Sequence, residues 1–503
     1  MDRIIRGVKE VRKEVFLNLL FTILINIARF IENKYFIQCM GIETLGMMKL
    51  FSQLLAYLNI VEMGIGSAST FALYKPLAEK DYKKVSIILS TIEGIYNKIG
   101  ILLFVLGLFC IPFISFFIDV PNFSKKVYLY WILYVANTVS TYLFVKYIIL
   151  FTANQEYLYI RKNQTIITIF FKISQIIFII LYHSFFIYII LLILDSLVQW
   201  RIFKRHYKKN YPYISKTKEK FEGIKNDIKN LFWHKIGGLV VFNTDLLLIS
   251  KFSSLEVVGI YASYQMILQV LNTLTSVLRG VLTPKIGKYI AIHTKEEIYV
   301  YFKKINILYC FMAIFFTYCT LNLIDNFISL WIGKDFLLNK LTLNLIAFNL
   351  WVNLFRWNLE MFKMGAGFFD DVISPILESI INLVVSIVLG INLGLNGVII
   401  GTITSNIIII LIYVPIITFK RCFNKGLNEY IKTYGQYFIL SLISMLVLNN
   451  TVRNFINTEI VNWSMWILEA IKISSLSLII LTIIFLFNKE FREIFINIKK
   501  YLK

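Results

Sequence analysis

The sequence predicts an all-α, polytopic membrane protein with about 14 transmembrane helices, arranged as two six-helix lobes followed by two C-terminal helices. Of the 503 residues, 58% are hydrophobic and only 16% are charged. Fourteen helices of about 20 residues need about 280 apolar positions, and this composition supplies about 292. Two further observations, the alternation of basic loops and an internal repeat, set the orientation and grouping of these helices. Little of the chain remains for a soluble domain.

Apolar segments long enough to cross a bilayer recur along the whole chain. They lie at residues 14–33, 44–64, 84–117, 127–151, 163–182, 184–203, 230–250, 257–281, 304–332, 341–362, 372–392, 396–419, 433–450 and 463–487. Five basic residues precede the first segment, between Arg3 and Lys13, and no small-residue cleavage site follows it. We therefore expect a retained signal anchor at the N-terminus.

Lysine and arginine are concentrated in every second loop. Basic groups follow the even-numbered segments, at residues 75–84, 161–162, 201–229, 279–304, 363 and 420–432, and in the tail at 489–503. The other loops hold only Lys34, Lys125, Lys126, Lys251, Lys334, Lys340 and Arg453. This asymmetry predicts an even number of spans with both termini in the cytoplasm. It also accounts for most of the formal net charge of +22, so no nucleic-acid partner is expected.

An internal repeat divides the spans into two sets of six. At an offset of 213 residues, Glu32 aligns with Asp245, Glu43 with Glu256, Gly46 with Gly259, Asn59 with Asn272 and Lys75 with Lys288. Two bundles of the same orientation favour alternating access by rocking around a central cavity. The predicted boundaries are an N-terminal lobe at 1–205, a basic cytoplasmic linker at 206–229, a C-terminal lobe at 230–421, and the last two helices with a basic tail at 422–503.

Residues that could support catalysis are sparse. The five cysteines form no CxxC pair, and the four histidines lie far apart without an HExxH motif, so neither a disulfide framework nor a metal site is expected. No stretch fits the phosphate-binding loop GxxxxGK[ST], and the outward loops are too short to hold the catalytic groups of a membrane glycosyltransferase. We therefore expect a protein that is not an enzyme and needs no cofactor. A H⁺ or Na⁺ gradient, or the removal of product, would supply the driving force.

Charged side chains inside the apolar segments are the candidate functional residues, because each would cost about 3 kcal/mol or more facing lipid at the bilayer centre. The cations are Arg29, Lys49, Lys98, Lys146, Lys172, Lys235, Arg356 and Lys472. An excess of cations in a cavity suits an anionic ligand, above all a diphosphate. Arg29 and Lys49 lie in the outer halves of neighbouring spans and are the first-choice diphosphate contacts. Secondary cavity cations are Lys172, Lys235 and Arg279.

Acidic residues in or beside the spans supply candidates for ion coupling. They are Glu62, Asp195, Asp245 and Glu378. Two other acids are expected to form local ion pairs within a helix, Glu360 with Arg356 and Glu469 with Lys472, because spacings of four and three residues place both members on one helix face.

Two segments resemble the polysaccharide flippases of the multidrug, oligosaccharidyl-lipid and polysaccharide export superfamily. One runs from Ser374 to Ser405 and contains Gly394, Gly397 and Gly401 around a tight outer turn; the other runs from Leu45 to Ala68. The resemblance implies a two-lobe, V-shaped bundle that moves an undecaprenyl-diphosphate-linked oligosaccharide from the inner to the outer leaflet. It also implies cavity cations in the first, second and eighth spans, which match Arg29, Lys49 and Arg279. In some relatives the last two spans hold the lipid tail, which would correspond to residues 433–487.

The resulting hypothesis is a bacterial inner-membrane flippase for O-antigen, capsule or exopolysaccharide assembly. Its expected partners are the lipid-linked oligosaccharide, membrane lipids and the polysaccharide polymerase machinery. The alternative is a cation-coupled drug or metabolite antiporter of the same superfamily. That alternative requires essential acids at Glu32 and Asp245 and tolerates the loss of Arg29.

Overall fold

The computed structural model describes residues 2–62, 65–118, 126–221, 244–368, 371, 373–456 and 460–501. Throughout these ranges the regular structure is helical, which confirms the predicted all-α class. The chain forms two compact units, Met1–Gly259 and Ile260–Lys503. The lobe and linker boundaries given above stay a prediction.

The first unit is built from nine helices and the start of a tenth in its described part. They are α1 (Asp2–Met40), α2 (Ile42–Leu58), α3 (Ile65–Ala78), α4 (Tyr82–Phe109), α5 (Ile111–Phe117), α6 (Lys126–Ala153), α7 (Tyr157–Tyr182), α8 (Phe185–Asn210), α9 (Asp245–Phe252) and α10 (Leu255–Ile292). Helix α1 packs against α7, and α6 packs between α4 and α8. Trp131 of α6 is fully buried, where its indole donates a 2.7 Å hydrogen bond to the Gly107 carbonyl and its ring contacts Phe51.

The second unit contains the rest of α10 and seven further helices in its described part. They are α11 (Lys295–Trp331), α12 (Lys340–Gly365), α13 (Ile373–Leu393), α14 (Leu395–Phe423), α15 (Leu427–Val452), α16 (Trp463–Leu486) and α17 (Lys489–Tyr501). Helix α11 is the centre of this unit, since α12, α15, α16 and α17 all pack against it. Its first turn is closed by a capping box, in which Thr294 and Glu297 each satisfy a backbone N–H of the other.

Ten helices in the described ranges are long and apolar enough to cross a membrane. They are α4, α6, α7, α8, α10, α11, α13, α14, α15 and α16. The other predicted spans fall on α1, α2 and α12 and on residues 230–250, of which 244–250 are described. The polytopic class is therefore confirmed, and the total of 14 stays a prediction.

Helices α13 and α14 pack closely because two glycines face the preceding helix. A methyl group at Gly397 would overlap the Leu389 carbonyl, and one at Gly401 would overlap the Ser386 side chain. The Ser386 hydroxyl also donates a 3.2 Å hydrogen bond to the Val398 carbonyl. Small residues allow such close backbone approach between membrane helices. These glycines belong to the Ser374 to Ser405 segment. The spacing of its glycines is therefore explained by the close packing of the two helices.

A second close approach joins α2 to the start of α10 within the first unit. A methyl group at Gly46 would overlap the carbonyl of Leu255, and one at Gly259 would overlap the carbonyl of Ile42. Positions 42 and 46 are separated from 255 and 259 by the 213-residue offset of the repeat. The contact is thus reciprocal, because each glycine lies against a carbonyl of the other helix. This reciprocity supports the repeat read from the sequence.

The beginning of the predicted linker is ordered along α4. Helix α8 continues to Asn210, so residues 206–210 belong to that helix. The next segment, residues 211–221, lacks helical structure and packs against α4. Residues 222–229 of the predicted linker lie outside the described ranges.

Candidate functional site

Three of the predicted cations are brought together in the first unit, on helices α1, α2 and α7. Gly41, with a φ of 82°, makes a one-residue turn between α1 and α2. At about 1.5 Å per residue, Arg29 lies about 18 Å and Lys49 about 12 Å from that turn along their helices. Since α1 packs against both α2 and α7, Lys172 of α7 joins the same group. We call Arg29, Lys49 and Lys172, with the acid Glu32, the cationic cluster.

Glu32 is the buried centre of the cationic cluster. One of its carboxylate oxygens accepts hydrogen bonds of 2.6 Å from the Lys172 ammonium and of 2.6 Å from the Tyr188 hydroxyl. The side chains of Lys172 and Glu32 are only 13% and 4% exposed. A charge-assisted hydrogen bond of this length holds the ammonium in one place. The ion pair of Glu32 therefore runs to α7 and not to Arg29 one turn away.

Lys49 lies within electrostatic range of Glu32, Lys172 and Arg29. Its side chain is partly buried, whereas that of Arg29 is exposed. The four charged groups thus act on one another, and they carry a net charge of +2. Such a group attracts anions, because its single carboxylate does not balance its cations.

Asp195 of α8 lies at the edge of the cationic cluster. It accepts a 2.9 Å hydrogen bond from the Gln199 amide and lies within electrostatic range of Lys172. With Asp195 included, the net charge falls to +1. The structure therefore places one candidate ion carrier beside the candidate phosphate contacts, a proximity that the sequence did not indicate.

Aromatic side chains enclose Glu32, and none of them was predicted. Tyr188 packs edge-on against Phe36 at 5.0 Å between ring centroids, and Phe185 contacts both Tyr134 and Tyr188. Tyr134, Tyr188 and Phe36 are each at most 5% exposed. Among these rings, the hydroxyl of Tyr188 donates a hydrogen bond to the Glu32 carboxylate. The available signal was the polar tip of Tyr188 in an otherwise apolar segment.

The remaining predicted residues of the first unit lie elsewhere. Glu62 follows α2 in a short 3-10 turn and lies beside the hydroxyls of Tyr96 and Tyr142. Asp245 is the first residue of α9 and lies within electrostatic range of Tyr57. Lys235 falls outside the described residues.

Arg279 and Glu378 belong to a second charged group, within the second unit. The guanidinium of Arg279 stacks on the Trp357 ring at 3.4 Å from its centroid, and Arg356 lies 5.4 Å from the same centroid. A cation over an indole face is stabilised by the ring quadrupole. Arg356 also donates a 3.3 Å hydrogen bond to Glu378. The Nε atoms of Arg279 and Arg356 are buried without a hydrogen-bond partner among the described residues.

One of the two expected local ion pairs is wrong and the other is confirmed. Arg356 pairs with Glu378 of α13 and not with Glu360 of its own helix, because the packing of α12 turns the guanidinium toward its neighbour. The candidate ion carrier Glu378 is therefore paired with Arg356. Lys472 and Glu469 do form a pair, at 2.8 Å.

Comparison with known proteins agrees with this description. Over residues 11–290, more than half of its length, the chain matches the family described as "Polysaccharide biosynthesis protein". Its fold is similar to the solved structure of the lipid II flippase MurJ in an inward closed conformation, with 15% identity over 94% of this chain and 99% of that chain and a TM-score of 0.69. It is also similar to an inward-facing multidrug resistance MATE family transporter of the MOP superfamily, with 14% identity over 82% of this chain and 95% of that chain and a TM-score of 0.58. A search of curated protein sequences found no match.

Proposed function

Because the chain belongs to the polysaccharide biosynthesis protein family and has a MurJ- and MATE-like fold, we propose that it is a lipid-linked oligosaccharide flippase. Its substrate is an undecaprenyl-diphosphate-linked glycan repeat unit, moved from the cytoplasmic to the outer leaflet by alternating access. The product feeds surface polysaccharide assembly, as O-antigen, capsule or exopolysaccharide. The protein works in the bacterial inner membrane with both termini in the cytoplasm, next to the polysaccharide polymerase machinery.

The observation that carries this proposal is the cationic cluster. Arg29, Lys49 and Lys172 lie on three packed helices of an apolar unit, around one buried carboxylate. A diphosphate offers several oxygens to such a group: Arg29 can bind two of them in a bidentate manner, and lysines act as point charges. A cation exporter needs the opposite excess of charge.

A protein is needed for this movement because the glycan head cannot cross the bilayer alone. Each sugar hydroxyl that loses water in hydrocarbon costs several kcal/mol, and the charged diphosphate costs more. The polyprenyl tail loses nothing by staying in lipid. A polar pathway for the head group, with the tail left in the membrane, therefore meets the physical requirement.

Glu32 positions the cations in this proposal. Its ion pair fixes the Lys172 ammonium, and the Tyr188 hydroxyl fixes the carboxylate. An incoming diphosphate competes with Glu32 for Lys172, so substrate binding weakens this ion pair. The driving force is a H⁺ or Na⁺ gradient or the removal of product by the polymerase, with Asp195 as the acid nearest the cluster.

The double variant Arg29→Ala/Lys49→Ala tests the proposal. We expect transport of a fluorescent undecaprenyl-diphosphate trisaccharide in proteoliposomes to fall by about two orders of magnitude, since each charge-assisted hydrogen bond contributes about 1.5–3 kcal/mol. The matched control is Lys34→Ala/Lys98→Ala, which removes two cations from the same unit outside the cluster. Wild-type transport by the cluster variant at equal abundance would refute the site.

The antiporter alternative rests on the similarity to a MATE family transporter and on the buried carboxylate of Glu32. It requires that Glu32→Gln and Asp245→Asn abolish cation-coupled export of a fluorescent dye, while Arg29→Ala leaves it intact. The flippase proposal expects no dye export by the wild-type protein. The two proposals thus give opposite results for Arg29.

A further inference from the structure

A second cationic site lies at the other end of the first unit. A cavity of about 260 Å³ opens between α4, α6, α8 and the segment 211–221. Its charged lining residues are Glu93, Lys146, Lys204, Lys208 and Lys216. Four lysines around one carboxylate carry a net charge of +3, more than the cationic cluster described above.

Glu93 forms ion pairs with two of these lysines, and the other two form no ion pair with an acid of the described residues. The Glu93 carboxylate binds the Lys146 ammonium at 2.7 Å and the Lys216 ammonium at 3.7 Å. No carboxylate in the described ranges lies within 4 Å of Lys204 or Lys208. Their positive charges are therefore balanced by solvent or by a ligand.

The cavity wall is rigid on the side that the segment 211–221 provides. Three of its backbone N–H groups donate to hydroxyls on one face of α4: Ser215 to Ser86 at 3.2 Å, Thr217 to Ser90 at 3.1 Å and Phe221 to Thr91 at 3.0 Å. An extended chain held in this way keeps Lys216 beside the cavity. On the opposite wall, the Lys204 ammonium lies 4.5 Å from the centre of the Trp200 ring, which restrains it.

The predicted topology places the cavity at the cytoplasmic surface of the membrane, where lipid phosphates lie. It is formed by the start of α4 and the ends of α6 and α8, the side that the basic loops predict to be cytoplasmic. Along α8, Lys204 lies about 24 Å from Tyr188, whose hydroxyl donates to Glu32 of the cationic cluster. A residue at that depth meets head groups of the cytoplasmic leaflet and solutes of the cytosol.

From this arrangement we propose that the cavity is a binding site for a phosphate group with two negative charges. The group belongs either to a lipid head group of the cytoplasmic leaflet or to a soluble phosphate compound. Lys204 and Lys208 supply the charge, and Ser90 and Ser215 line the same cavity with hydroxyls that can donate. A dianion satisfies a net charge of +3 better than a monoanion does, which favours phosphomonoesters and diphosphates over phosphodiesters. This site is separate from the proposed transport function and stands whether or not that function does.

Binding to the purified full-length protein tests the site with two probes. One probe is inorganic pyrophosphate, titrated calorimetrically into protein in phosphatidylcholine nanodiscs. The other is phosphatidic acid, whose retention is measured by native mass spectrometry against phosphatidylglycerol. We expect Lys204→Gln/Lys208→Gln to weaken binding of the effective probe by about tenfold or more. Lys204→Arg/Lys208→Arg should keep it, which separates lost charge from misfolding.

The matched control is Lys209→Gln/Lys220→Gln, which removes two exposed lysines of the same region that do not line the cavity. Selective binding of phosphatidic acid identifies a leaflet lipid as the ligand source, and binding of pyrophosphate identifies a soluble phosphate. The proposal is overturned if neither probe binds, or if the cavity variant and the control variant bind equally.

Discussion

Single atoms decide how closely α13 and α14 pack. Gly397 and Gly401 present only hydrogen atoms to the backbone at Leu389 and to the Ser386 side chain. The segment containing them could be recognised from its glycine spacing alone. The partner atoms could not, because spacing along one helix does not specify which residues of the next helix it meets.

Replacing Gly397 by alanine should destabilise the protein. The added methyl group overlaps the Leu389 carbonyl, which is backbone and cannot rotate away, so we expect a loss of about 1–3 kcal/mol. Thermal unfolding in detergent measures it. The control is Gly435→Ala in α15, where a methyl group would meet no atom within 4 Å and should be neutral or stabilising. Equal melting temperatures for the two variants would contradict the packing argument.

For the charged residues too, the sequence indicates which residues are involved but not which partners they meet. Composition and span assignment were enough to select Arg29, Lys49 and Lys172 as candidates, because a charge within a span is costly if it faces lipid. Their grouping depends on the packing of α1 against α2 and α7. Local spacing predicted Glu360 as the partner of Arg356, yet the observed partner is Glu378 on the next helix. Helical spacing brings two groups within reach, and packing decides between competing partners.

At the scale of elements, the end of α8 is tied to the start of α7 by a polar network. Glu156 accepts hydrogen bonds from the Tyr211 hydroxyl and the Asn154 amide, the latter at 2.9 Å, and lies 2.8 Å from His206. Burial acts to raise the pKa of this carboxyl, but the hydrogen bonds from Tyr211, His206 and Asn154 outweigh it and lower the pKa below its usual value. The network joins two helix ends outside the predicted spans.

Glu156 should therefore make stability depend on pH in the acid range. A lowered pKa in the folded state means that the carboxylate stabilises the fold above the ordinary pKa of 4.5, and that this stabilisation disappears as the pH falls below it. At pH 7 we expect Glu156→Gln to lower the melting temperature, because the substitution removes roughly 1 kcal/mol of stability. As the pH falls, the melting temperatures of the variant and the wild type should converge. The exposed Glu219→Gln is the control. A Glu156→Gln effect of the same size at pH 7 and at a pH below the ordinary carboxyl pKa of 4.5 would disprove the assignment.

At the scale of the whole molecule, the distribution of charge predicts the orientation in the membrane. The basic loops alternate along the chain, and in the described ranges some of them coincide with helix ends, as residues 75–84 do between α3 and α4. The even loops carry most of the +22 charge. Because each span changes the side of the membrane, one misassigned span would invert the predicted side of every later loop.

Amine labelling tests this orientation on the native chain. A membrane-impermeant reagent should modify the exposed residues Lys83, Lys218 and Lys432 in inverted vesicles, and Lys334 and Lys340 in spheroplasts. Peptide mass spectrometry gives the labelled positions. Modification of Lys83 and Lys334 from the same side would contradict the predicted topology.

Taken by itself, the sequence determined the class of the protein, the approximate position of its spans, the glycine-marked helix pair and which charged residues lie within apolar segments. Each of these depends on the free energy of transferring a residue or a short segment between water and lipid, which is a local property. Only the tertiary structure decided that Glu32 binds Lys172, that Arg356 binds Glu378, that Arg279 stacks on Trp357, and that residues 211–221 close a lysine-lined cavity. These contacts join residues on different helices. Their identity follows from how helix surfaces fit together, which no local pattern of the chain specifies.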